Sequence, residues 1–445
     1  MQSSLGDLWH RVGATESTPP LFYLLTWAWV HLVGNDSAAA ARFVSAFALV
    51  AAVPVAYVAL RRLVGWQAGL ATAALLAVSP LLSWYAVDAR AYGLLVLVGL
   101  LSVWAFGAAL ETPSRKRLAL WALAAAAAVW THWFAGFLVL GEALALLWLR
   151  RDAWRSVLIA GGAALLALLP LAGLLRDQTG DERASFIADT KLVDRVEQFV
   201  RQFGSGQNIP RTWLEASMLA LGLTAIAAGT LLTVRRARTP REDAASRDGA
   251  RALLAVTLVA LFVPLALGAV ELYDRFNVRN VLYLWPLLAA LAAPALLRLR
   301  AVPLAALLAL GVTASLWGQL DWRYQNTDWR SAIAQLRDHA PRTPVIAVGR
   351  LGIPVAAQYL DRAPTATPLT TRHAWLVVEP ARTSGHRELQ PMNPPLVAQL
   401  LAAFPQHRET RVHAFRVIEL SAPSAVPLNP AQLPEAALFG APKRR

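Results

Sequence analysis

The chain has 445 residues, 56% of them apolar and 16% charged, against about 25% charged in ordinary soluble domains, so its composition is that of a membrane protein. The formal net charge of +14 falls in short clusters between apolar runs, which is the pattern of cytoplasmic membrane loops and argues against nucleic acid as a partner. There is no Cys, which excludes disulfides and thiol catalysis, and the 17 Trp suit two wide membrane–water interfaces.

The first forty residues lack a basic start followed by an apolar core, so they do not read as a signal peptide. Leu5 to Val12 forms an amphipathic approach, and Pro19-Pro20 suits the opening of a helix. The run 21–33 (LFYLLTWAWVHLV) is aromatic and short against the roughly 20 residues needed to cross, so an interfacial helix is expected there.

Apolar stretches then follow at 41–60, 66–84, 91–110, 118–134, 135–149, 156–175, 213–234, 252–270, 281–297 and 302–318, giving about ten expected spans. Arg61-Arg62, Arg115-Lys116-Arg117, Arg150-Arg151 with Arg155, the Arg235 to Arg251 cluster, and Arg298 with Arg300 fall in every second loop. By the positive-inside rule these loops are cytoplasmic, and 1–40, 85–90, 177–212, 271–280 and 319–445 lie outside. Both ends then stand on the outer side with no span ahead of the first outer segment, so a further membrane helix is expected before Met1.

After the last span the composition changes. A helix from Asp328 to His339, a buried strand at Val345–Val348, a helix at Ile353–Leu360, and strands at Ala374–Glu379 and Val412–Leu420 indicate a small α/β domain. The expected architecture is therefore juxtamembrane helices (1–40), an all-α polytopic membrane domain (41–319), a C-terminal α/β extracytoplasmic domain (320–421), and a loosely ordered Pro-rich tail (422–445).

Polar groups at the ends of apolar runs are costly and usually kept for function. Asp88, Arg90 and Tyr92 sit between two such runs; a local ion pair that ends a helix is the plain alternative. Asp88 is suited either to hold a divalent cation through oxygen or to orient Arg90 towards a phosphate, which a guanidinium fork grips well. Asp274, Arg275, Arg279 and Asn280 stand at the mouth of the 281–297 run, where Arg279 would neutralise a lipid phosphate or, on the plainer reading, snorkel to any headgroup. His132 lies at a tight turn, Glu142 within an apolar run, and Glu16 just before Thr18-Pro19-Pro20. The polar segment 177–212, with Phe186, Phe199 and Phe203, suits a mobile cover. No phosphate-cradling Gly-rich loop and no Gly-x-Ser-x-Gly elbow is present.

These residues resemble a known family. Ser17-Thr18-Pro19-Pro20-Leu21-Phe22-Tyr23, Arg42-Phe43-Val44-Ser45-Ala46, Ser79-Pro80 through Tyr92, and Arg279-Asn280 ahead of Trp285-Pro286-Leu287 are similar, in order and spacing, to motifs of the GT-C superfamily of polytopic glycosyltransferases. The resemblance is to the protein O-mannosyltransferase and lipid A aminoarabinose transferase type, with Asp88 in place of the usual Glu. It implies an enzyme of a bacterial plasma membrane that moves a sugar from a polyprenyl-phosphate donor to a protein, glycan or lipid acceptor outside the cytoplasm. Asp88 and Glu16 are then the candidate catalytic carboxylates. Arg90, Arg279, Tyr92 and Asn280 would bind the donor phosphate, His132, Asp274 and Glu142 would line the site, and a divalent cation is the one cofactor considered. The family's base is an Asp, usually followed by Glu, in the first outer loop. Met1 to Trp9 resembles the part after that pair, so the first span and its acidic pair are lacking here. A catalytically silent member that binds lipid-linked sugar is the alternative, and a transporter is a third reading.

Overall fold

The computed structural model describes residues 4–179, 185–210, 212–325, 327–337, 343–349, 352–383 and 386–440. The chain divides into two compact units, one of residues 1–207 and 211–316, the other of 208–210 and 317–445.

The first unit is helical. Two short helices, α1 (Leu5–Thr15) and α2 (Leu21–Val33), precede α3 (Ala38–Val64), α4 (Trp66–Ala77), α5 (Pro80–Ala86), α6 (Tyr92–Glu111), α7 (Arg115–Thr131) and α8 (Ala135–Leu149). Then come α9 (Trp154–Leu166), α10 (Ala172–Thr179), α11 (Ser185–Ala188), α12 (Leu192–Ser205), α13 (Trp213–Arg238), α14 (Ala244–Ala269), α15 (Leu284–Leu296) and α16 (Val302–Leu320). Local chemistry sets their starts: the Ser37 and Ser79 side chains accept from the backbone N–H of Ala40 and Leu82, each satisfying a donor that a helix leaves unpaired.

Six helices among the described residues are long and apolar enough to cross a membrane, or seven if α4 and α5, bent by 56°, form one span. The expected ten are thus fewer by this measure, although helices occupy all ten stretches. The reason is length: α8 and α15 are shorter apolar helices, as is α2, and Pro80 opens a new helix where a straight span was expected. Segment 177–212, expected as a loop, holds the whole of α11 and α12; the Phe186 side chain lies outside the described residues.

Helix α6 is the most enclosed, with 83% of its apolar window buried against 11% for α16. Small residues let its neighbours close in. A Cβ on Gly93 would come within 2.7 Å of the Ser45 carbonyl on α3. Because α6 is central, its first residue, Tyr92, is placed in the middle of whatever site forms at that end of the bundle.

The second unit carries a five-stranded sheet in the order β5-β6-β2-β1-β7, with β1 (Val345–Val348), β2 (Leu369–Val378), β5 (Gln406–Val412), β6 (Phe415–Leu428) and β7 (Ala436–Phe439); β3 (Pro380–Thr383) and β4 (His386–Pro391) pair separately. β1 runs parallel to β2, and the other pairs in the main sheet are antiparallel. Helices α17 (Trp329–Arg337) and α18 (Ile353–Leu360) supply core residues to one face, and α19 (Pro394–Ala403) to the other. Buried β1 reads Val-Ile-Ala-Val, as a strand covered on both faces should. The end of the chain departs from expectation. Residues 422–428 complete β6 and 436–439 form β7, since Leu428, Leu438 and Phe439 are buried in the two cores and hold the prolines between them in place. Lys443-Arg444-Arg445 lie outside the described residues.

Candidate functional site

Four connections meet at one end of the first unit: the α1–α2 link, the α5–α6 link, the α7–α8 turn and the segment between α14 and α15. The Tyr92 ring is their hub. Arg90 and Arg279 place their guanidinium carbons 5.6 and 6.0 Å from its centroid, within cation–π reach. Tyr85 and His132 lie against it at 5.1 and 6.1 Å. The backbone of Arg90 is pinned, because Ser45 Oγ donates to its carbonyl at 2.9 Å.

Asp88 is half-buried in the α5–α6 link. Burial pushes its carboxyl pKa up, and the nearby charges of Arg90, Arg279 and Arg42 oppose that rise. Asp88 and Arg279, from distant parts of the sequence, therefore share one neighbourhood. Glu16 joins from the α1–α2 link: its Oε2 accepts from the Tyr23 hydroxyl at 2.7 Å and stands 3.5 Å from Arg90 Nη2.

An open hollow lies beside these groups, lined in part by Thr18, Tyr92, His132, Arg279 and Asn280. His132 is buried, and burial together with the Arg279 and Arg90 charges holds its pKa far below the usual histidine range. Asn280 is fixed by donating to the Arg275 carbonyl at 2.9 Å.

Two expected lining residues go elsewhere. Asp274 pairs with Arg195 of α12, which also donates to the Phe276 carbonyl. Glu142 lies well inside the bundle, where its Oε2 accepts from Ser102 Oγ at 2.6 Å and Trp121 Nε1 at 2.8 Å. Sequence reasoning missed Gln178 and Arg195. Gln178 donates to the Val12 and Thr18 carbonyls and accepts from Trp133 Nε1, tying the α1–α2 region to the α7–α8 turn. No local pattern marks it. Arg195 has a signal only in retrospect: it is a buried charge on a strongly amphipathic helix.

Among the described residues no three His, Cys, Asp or Glu side chains gather as a metal site, and Asp88 has arginines for neighbours, which already supply the positive charge a cation would bring. A second, open cavity has a largely apolar lining, among it Leu75, Phe203, Met218, Ile226 and Trp285. It reaches Ser79 and Pro80 at the start of α5, whose other end leads to Asp88.

The fold and these groups define a multi-span, mostly helical membrane protein with an arginine-lined hollow at the helix ends and a small C-terminal sheet domain. Residues 17–175 match the family model for dolichyl-phosphate-mannose-protein mannosyltransferases. No curated protein matches the sequence. Among solved structures, an oligosaccharyltransferase of Archaeoglobus fulgidus in complex with Zn and sulfate is similar at 16% identity and a TM-score of 0.46, over 80% of this chain and 51% of that one. Another structure from that organism, AglB in complex with an inhibitory peptide and a dolichol-phosphate, is 15% identical with a TM-score of 0.39, over 80% and 54%. ArnT from Cupriavidus metallidurans, bound to undecaprenyl phosphate, is 15% identical with a TM-score of 0.39, over 92% and 88%. The chain spans about half the length of the archaeal structures.

Proposed function

We propose that this protein is a membrane glycosyltransferase that moves a sugar from a polyprenyl-phosphate donor to an acceptor on the extracytoplasmic side of a bacterial plasma membrane. The observation that carries the reading is the convergence of Arg90 and Arg279 on the Tyr92 ring beside an open hollow. Two guanidinium groups at a membrane-edge hollow suit one lipid phosphate better than a neutral solute.

In this reading the acceptor hydroxyl oxygen attacks the anomeric carbon, and the bond from that carbon to the phosphate oxygen breaks. The electron pair leaves with the phosphate. Arg90 and Arg279 stabilise the charge that collects there, a form of electrostatic catalysis in a site of low polarity. The Asp88 carboxylate shares the neighbourhood of the two arginines, and Asn280, pinned through its amide, adds a polar contact. A carboxylate must take the hydroxyl proton, and Glu16, whose oxygen stands 3.5 Å from Arg90 Nη2, is assigned that role. The apolar cavity at the start of α5 suits the donor's hydrocarbon chain.

One observation favours the catalytically silent alternative: Glu16 Oε2 already accepts from Tyr23 and faces Arg90, so that oxygen is engaged before any acceptor hydroxyl arrives. Membrane vesicles carrying the protein, supplied with radiolabelled polyprenyl-phosphate sugar, separate the two. Label passing into protein, glycan or lipid, and losing that passage with Glu16→Gln, supports transfer. Binding of the donor with no passage of label supports the silent reading.

A further inference from the structure

The turn between α7 and α8 holds a histidine whose two ring nitrogens have different fates. The Phe134 backbone N–H donates to His132 Nδ1 at 3.2 Å. An amide N–H can only donate, so Nδ1 must present its lone pair, and in the neutral ring the proton then sits on Nε2. His132 is 3% exposed, and its Nε2 has no hydrogen-bond partner within the protein. The ring lines the hollow together with Arg279 and Asn280. Asn280 commits its amide nitrogen to the Arg275 carbonyl, and its side-chain oxygen, close enough to act on the ring's charge, stands outside hydrogen-bond geometry with Nε2. Buried donors nearly always have a partner, and one left unmet beside a hollow points to a bound group.

We propose that His132 is a neutral hydrogen-bond donor, through Nε2–H, to an oxygen of the phosphate bound in this hollow, and is neither its general base nor a metal ligand. The inference rests on the phosphate reading given above. A base or a ligand needs a lone pair facing the hollow, and the only lone pair on this ring is spent on Phe134. Turning the ring over would put a carbon against the Phe134 N–H and leave that donor at the start of α8 unpaired. A second proton would have to enter at Nδ1, against the same N–H, with the Arg279 and Arg90 charges close by. The ring therefore stays a fixed, uncharged donor, and it adds directionality that the two arginines, as charges, do not.

The test uses the full chain in lipid nanodiscs and the dissociation constant of a short-chain polyprenyl phosphate. His132→Gln keeps an N–H near the Nε2 position, whereas His132→Phe keeps the ring volume and has no donor. The expected result is Gln close to wild type and Phe weaker by roughly tenfold or more, with the ratio of the two constant from about pH 5 to 8. The same contrast with inorganic phosphate supports the assignment with the headgroup alone as ligand. The contrast with the polyprenyl phosphate only, and none with phosphatidylglycerol, supports it with a lipid-borne monophosphate. Phe binding as tightly as wild type, or Gln as weak as Phe, overturns it while leaving the phosphate site standing. Wild type failing to bind any of the three overturns both. If His132→Phe does not fold, the nitrogen-15 histidine spectrum of the wild-type protein decides. An Nε2–H tautomer whose signal moves on adding polyprenyl phosphate supports the donor role, and an Nδ1–H tautomer or an unmoved signal overturns it.

Discussion

Replacing Arg279 by Ala removes one of the two guanidinium groups that meet at Tyr92 and leaves Asp88 with Arg90 and Arg42. A hydrogen bond to a charged group is worth about 1.5–3 kcal/mol, which at 1.4 kcal/mol per factor of ten weakens a lipid phosphate by roughly 10- to 150-fold. Arg279→Lys keeps the charge but loses the planar fork and most of the stacking on Tyr92, so a smaller loss of about 1 kcal/mol, near fivefold, is expected. The assay is titration of polyprenyl phosphate into the purified protein in nanodiscs, beside a thermal unfolding curve for each variant. The order wild type, Lys, Ala in affinity, with unfolding temperatures nearly unchanged, is the predicted outcome. An Ala variant that binds as tightly as wild type while folding normally would refute the phosphate site, because no other arrangement of Arg90 alone supplies the same fork.

Asp88 gives a pH prediction whose sign can be worked out. Its folded pKa is raised by burial, so the ionised carboxylate costs stability above that pKa, and the cost disappears as pH falls through it. Protonation also removes the negative charge that opposes a phosphate beside Arg90 and Arg279, so binding of a lipid phosphodiester, whose own charge is constant there, should tighten as pH falls through the raised pKa of Asp88; Asp88→Asn should flatten that dependence. Glu142→Leu should lower the unfolding temperature by the equivalent of about 1–3 kcal/mol, because Trp121 Nε1–H is left buried without an acceptor. Glu142→Gln should cost clearly less, and neither should alter lipid-phosphate affinity; a changed affinity would mean that Glu142 communicates with the hollow. Gly93→Ala forces a methyl group to within 2.7 Å of the Ser45 carbonyl and should destabilise by about 1–3 kcal/mol. The same shift loosens the Ser45–Arg90 bond, so affinity should fall with stability, measured in the same pair of assays.

The membrane class and the arginines at Arg90 and Arg279 are legible in the sequence for one physical reason. A charge costs so much at the end of an apolar run that its presence there needs an explanation. Strand β1 is legible because four buried apolar residues stand between polar flanks. Span lengths are less legible, since hydropathy registers an apolar run without registering the break that Ser79-Pro80 or the turn at His132 makes in it. Partners far apart in the chain leave no local mark. The Gln178 contacts to Val12 and Thr18, the Arg195–Asp274 pair and the Glu142–Trp121 bond all join segments distant in sequence, brought together by packing that is decided by shape. The Pro-rich end misleads for a related reason. Proline-rich composition suggests loose chain, but Leu428 and Phe439 find buried places in the sheet cores, and that packing decides the outcome.

The central claim is a place for a phosphate, and an electron cryomicroscopy map of the full chain in nanodiscs with polyprenyl phosphate tests it most directly. The account predicts phosphate density within hydrogen-bond reach of both Arg90 and Arg279, over the edge of the Tyr92 ring and facing His132 Nε2. Phosphate density elsewhere on the bundle, with the hollow at Tyr92 holding none, would contradict it.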